Sequence, residues 1–135
     1  MSKFKFEVDD YYELLSLHKA LLEAKFHKNP DNIYVCFSPI IAKLSNEIVD
    51  ILSTIESEKN EEKWKQWRMI ENKSYFRECA LANAISYERW GNMTYDEKIQ
   101  ASKNLLSPFV ASNNEIESFI SEVDRNKTII SDINK

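Results

Sequence analysis

Glycine is almost missing: Gly91 is the only one in 135 residues, beside three prolines, two cysteines and two histidines. Phosphate-cradling loops, dinucleotide fingerprints and nucleophile elbows need glycine where the backbone nears a ligand or turns sharply. Those chemistries are effectively excluded. So few turn residues also disfavour a β-sandwich or barrel, which wants a turn signal about every 8 to 12 residues.

Cys36 and Cys79 form no CxxC pair and sit among apolar neighbours, which reads as two buried free thiols in a reducing compartment. His18 and His27 lie nine residues apart. That spacing fits no helical metal pair, and HExxH is absent, so no metal or cofactor is expected. A nucleophile pair of His18 with Cys36 or Cys79 would need a thiolate that apolar surroundings disfavour. Carboxylate pairs are available everywhere on an acidic chain and discriminate nothing, so no catalytic residue is assigned and no enzyme is expected. No apolar run approaches the roughly 18 residues of a membrane span, and the N-terminus turns acidic before any run of signal-peptide length. A cytoplasmic protein without a membrane partner is expected. The formal net charge of −4 argues against a nucleic-acid duplex as main partner.

What is present is helical spacing. The stretch 61–91 holds every tryptophan and the glycine. Trp64, Trp67, Ile70 and Ser74 fall on one helical row, with Asn72, Lys73 and Ser74 breaking the pattern and Ser74 placed to cap a second helix. Phe76, Cys79, Ala80, Asn83, Tyr87 and Trp90 then form one face of a helix that Gly91 is expected to stop in a left-handed conformation.

Upstream, a helix is expected from Asp9 or Asp10 to about His27, with Leu14, Leu17, Leu21 and Ala24 as its inner row. Asn29-Pro30-Asp31-Asn32 is turn chemistry. Ile33 to Phe37 is apolar and β-branched enough to be a buried strand or a buried helix, and a short strand pair with Phe4 to Val8 is the β alternative. Ser38-Pro39 opens a helix whose core face is Ile41, Leu44, Ile48, Ile51, Leu52 and Ile55. The charge run 56–62 reads as a solvated link or helix end. Downstream, Thr94-x-x-Glu97 is a capping box for a helix to about Leu106, and Asn114-x-x-Glu117 reads as a second box opening a short helix striped by Ile116, Phe119, Ile120 and Val123. The fold class is therefore all-α. A single domain over residues 1–135 is expected as a bundle of five or six helices, with an N-terminal arm at 1–8 and a tail at 126–135.

Two surfaces stand out. Glu115, Glu117, Glu122 and Asp124 flank the last apolar stripe without an intervening cation, and Glu58, Glu61 and Glu62 add a second acidic cluster. Acids gathered this way suit a basic protein partner, because charge across an interface steers association and selects the partner. The functional expectation is a non-enzymatic protein-binding module, most concretely an immunity-like or antitoxin-like inhibitor that masks a cationic toxin such as a nuclease. The alternative is an accessory single-stranded nucleic-acid binder, in which Lys63, Trp64, Lys65, Trp67 and Arg68 interleave cations with rings on which bases stack.

Overall fold

Asp10, Asn32, Ser38 and Thr94 each accept a backbone N–H at a helix start, and these caps set most of the chain's punctuation. The computed structural model describes residues 5–55 and 58–133. Among them the order is α1 (Tyr11–Lys25), α2 (Ile33–Phe37), α3 (Pro39–Thr54), α4 (Glu58–Trp67), α5 (Ser74–Ser86), α6 (Tyr95–Leu106) and α7 (Asn113–Ile133), with 3-10 turns at Ile70–Asn72 and Glu88–Asn92.

The fold is an all-α bundle, with seven α-helices among the described residues. Ile33 to Phe37 is helical, because Asn32 caps it and Cys36 Sγ donates back to the Ile33 carbonyl at 2.9 Å. The strand alternative fails for that reason. Residues 5–8 run without regular structure, Phe4 lies outside the described residues, and the one bridge among them joins Met69 to Val110. The charge run is not a link from Glu58 onward, since α4 starts there.

Three helix boundaries differ from the sequence reading, each for a physical reason. Ser74 is the first residue of α5, and Lys73 at the cap position makes no side-chain cap bond. The same helix stops at Ser86, before Gly91. There Lys127 Nζ, reaching across from α7, donates to the carbonyls of Ile85 at 2.7 Å and Tyr87 at 2.8 Å. These are the acceptors a helix end leaves unpaired, so a tertiary contact replaces the glycine stop, and Gly91 sits in the 3-10 turn without positive φ. The last capping box is Ser112-x-x-Glu115, with Glu115 N to Ser112 Oγ at 3.2 Å and Ser112 N to Glu115 Oε1 at 3.0 Å. It opens a helix of 21 residues that absorbs the described part of the expected tail.

Two apolar clusters form the interior. The larger gathers Trp90, Leu105, Phe109, Phe119 and Val123 where α5 and α6 meet α7, and the smaller joins Leu14 of α1 to Ile48 and Leu52 of α3. All six residues on the face from Phe76 to Trp90 turn inward, wholly or in part. Asn83 is the exception in chemistry: it is 0 % exposed, and neither its amide nitrogen nor its oxygen has a partner among the described residues. A buried polar group left unpaired costs about 1 to 3 kcal/mol. Asn83→Leu, close in volume and without polar atoms, is therefore expected to raise the denaturation midpoint by about 1 to 2 kcal/mol of stability. Chemical denaturation of both proteins checks it, and a lower midpoint for the variant would mean that the amide is satisfied.

Candidate functional site

The predicted acidic surface divides in two. Glu122 lies 2.9 Å from Arg77 of α5, and Asp124 accepts the Trp90 indole N–H at 2.8 Å and lies 3.1 Å from Lys98 of α6. Glu115 closes the capping box. These three carboxylates are engaged inside the molecule, so the stripe is not uncompensated: its cations come from distant helices. Glu117, Glu61 and Glu62 are exposed and pair with no described cation, while the Glu58 side chain lies outside the described residues.

The predicted basic and aromatic platform is likewise split. Arg68 is held by the Pro108 carbonyl at 2.9 Å, by Asn46 at 3.0 Å and by Asp50, which leaves its guanidinium no free edge for a phosphate. Lys65 is exposed and lines none of the clefts described below. Trp64 and Trp67 are half-buried at 5.3 Å from each other in an edge-on pair, and with Lys63 they line a cavity between α1 and α4. Three of the five residues therefore come together.

A second cleft, of about 510 Å³, lies between α1 and α3. Two residues expected in the core make its open wall. Leu44 is 43 % exposed and Ile51 51 % exposed, because α3 turns Ala42, Ser45, Ile48, Val49 and Leu52 inward instead. Phe6 of the arm, 82 % exposed, faces the same cleft. Its charged lining residues are Asp9, Asp10 and Glu47, with no cation among the described ones. The cleft thus combines an apolar floor with acidic lining residues, of which Glu47 also lies 3.9 Å from Lys43.

No protein-family model, curated protein or solved structure matches the chain.

The burial of two titratable groups escaped the sequence reading. His18 is 5 % exposed and meets the Trp64 and Trp67 rings edge-on at 5.4 and 5.1 Å. Burial first, then Lys19, lowers its pKa below the ordinary value of 6.5. Lys25 is 1 % exposed where Ala24 was expected, and its ammonium donates to the carbonyls of Asn104 at 2.7 Å and of Ser107 at the end of α6. Burial pushes Lys25 down to about 7 and the nearby Cys36 thiol up to about 11. The signal for Lys25 was its place on the row Leu14, His18, Leu22, Lys25, in which each residue sits three or four positions from the last. Among the described residues no three or more His, Cys, Asp and Glu side chains gather as metal ligands, and no helix is long and apolar enough to cross a membrane.

Proposed function

We propose that this chain is a non-enzymatic protein-binding module that takes an amphipathic, basic segment of a partner protein in the α1–α3 groove. Its most concrete form is an immunity-like or antitoxin-like inhibitor that masks a cationic toxin. One observation carries the reading: the apolar groove with Phe6, Leu44 and Ile51 exposed is lined by three carboxylates, Asp9, Asp10 and Glu47, and by no described cation, although Glu47 also lies 3.9 Å from Lys43 beside the groove and Asp10 caps α1. Apolar side chains of the partner would fill the floor and its lysines or arginines would meet the rim. Glu61, Glu62 and Glu117, exposed and without described cations, would add to the negative field that steers encounter.

The test compares the wild type with Leu44→Ser/Ile51→Ser as bait in a pull-down from the source cell. These side chains are already half in water, so the fold should persist. The expected result is a basic protein held by the wild type and lost by the variant, with an on-rate that falls steeply as salt is added while dissociation changes little. Equal capture by both baits, or an on-rate indifferent to salt, would remove the groove as the binding surface.

A further inference from the structure

The cavity between α1 and α4 is a different kind of site from the groove. It has a volume of about 340 Å³, at the lower end of the range in which small-molecule pockets fall. Its walls are rings and aliphatic side chains: Tyr11, Trp64 and Trp67, with Leu15 and Leu22 beside them. The Trp64 and Trp67 rings, 5.3 Å apart and at 75° to each other, both line the cavity, and aromatic rings favour stacked or edge-on contact with a third ring. His18, although 5 % exposed as a residue, also lines the cavity. The charged lining residues are Lys19 and Lys63, both exposed and neither paired with a described carboxylate, and no described acid belongs to the lining.

We infer that this cavity binds a small planar aromatic molecule carrying an anionic group, its ring among Tyr11, Trp64 and Trp67 and its anion between Lys19 and Lys63. Apolar walls select the ring, and the two ammonium groups select the sign of the head group. The chemistry is shared by aromatic carboxylates and by mononucleotides. It does not require a strand, because the Arg68 guanidinium, which a longer phosphate track would use, is held by Asn46, Asp50 and the Pro108 carbonyl. The site is separate from the α1–α3 groove except for Tyr11, which borders both.

The experiment titrates the protein with 2-naphthoate, 2-naphthylmethylammonium, adenosine monophosphate and a short oligodeoxyadenylate, following heat and the three indole N–H signals in 1H–15N spectra. The expected result is that 2-naphthoate moves the Trp64 and Trp67 signals, leaves that of Trp90 in place at Asp124, and binds at least tenfold tighter than the amine. Lys19→Glu/Lys63→Glu, on exposed side chains, should lower naphthoate affinity at least tenfold and remove the preference over the amine. Lys19→Gln/Lys63→Gln should fall between. The same pattern with the mononucleotide would identify a nucleotide as the source of the ligand, and its absence there an aromatic carboxylate; either upholds the site. Leu44→Ser/Ile51→Ser should bind naphthoate like the wild type, so that loss of the partner groove and loss of this cavity are distinguishable. Equal binding of acid and amine, movement of the Trp90 signal with the others, no effect of the lysine reversals, or binding of the oligonucleotide alone would each overturn the inference.

Discussion

Trp90→Ala is expected to lower the unfolding free energy by about 3 to 5 kcal/mol, the usual cost of deleting a large buried aromatic. Trp90 is 0 % exposed and is the largest of the fully buried side chains. For a domain whose whole stability is about 5 to 15 kcal/mol, that loss is roughly a fifth or more. The companion change is Asp124→Lys. It leaves the Trp90 indole N–H without its 2.8 Å acceptor, breaks the 3.1 Å pair with Lys98, and puts a third cation beside Lys98 and Lys127. The unpaired donor alone is worth about 1 to 3 kcal/mol, and the ion pair adds less because the Asp124 side chain is 45 % exposed. Asp124→Asn keeps an acceptor for the indole and should cost about 1 kcal/mol or less. Urea titrations of the four proteins check the order. Asp124→Lys with wild-type stability would place Asp124 among the solvated acids after all.

The stability of the wild type should rise with pH from 7 to about 9 and then level or fall. Lys25 has a folded pKa of about 7 against 10.5 ordinarily. Between those values the unfolded chain holds the proton and the folded one does not, so raising the pH favours folding, and the benefit is lost as pH falls through 7. Over the two units from 7 to 9 the gain is on the order of 2 to 3 kcal/mol. Lys127, also lowered by burial, acts in the same direction. Cys36 opposes them at the top of the range: its folded pKa of about 11 exceeds the ordinary 9.0, so the unfolded thiol ionises first, which offsets the Lys25 gain above pH 9 and lowers stability once the unfolded lysine has also lost its proton. On the acid side, His18 adds a loss as pH drops below 6.5, since its folded pKa is lowered. Lys25→Met removes the rise between 7 and 9. At pH 9 it should also lose about 2 to 4 kcal/mol, because the Asn104 and Ser107 carbonyls lose their donor. Thermal melts at fixed ionic strength across pH 6 to 11 read both effects, and a wild-type profile flat from 7 to 9 would place the Lys25 ammonium in contact with water.

Local chemistry was legible and long-range chemistry was not. Ser38-Pro39 and Thr94-x-x-Glu97 act where they were read, because a cap concerns residues three apart. The end of α5 was misread because its stop comes from Lys127, 42 and 40 residues away from the carbonyls it meets. The acidic stripe looked uncompensated for the same reason: Arg77 and Lys98 lie far from Glu122 and Asp124 in sequence and close in space. On α3 the apolar residues outnumber the positions the core can cover, and periodicity alone does not say which face wins. Leu44 and Ile51 lost to Ala42, Ser45 and Val49, whose smaller side chains allow closer helix packing. The candidate groove is the remainder of that competition.

α7 also bears on how the chain is made. Its residues Asp124 and Lys127 hold Trp90 and the end of α5, and its Phe119 and Val123 close the larger cluster. Synthesis runs from the N-terminus, so while residues 74–112 leave the ribosome the Trp90 ring and the apolar face of α5 have Phe26, Phe37 and Ile70 from earlier elements beside them but lack the α7 side chains that complete the cluster. The nascent chain would expose that surface until α7 emerges, a period of seconds at about 5 to 20 residues per second. A ribosome stalled near residue 112 should therefore display a chain that proteases cut readily and chaperones hold, and one stalled well beyond α7 a chain that resists both.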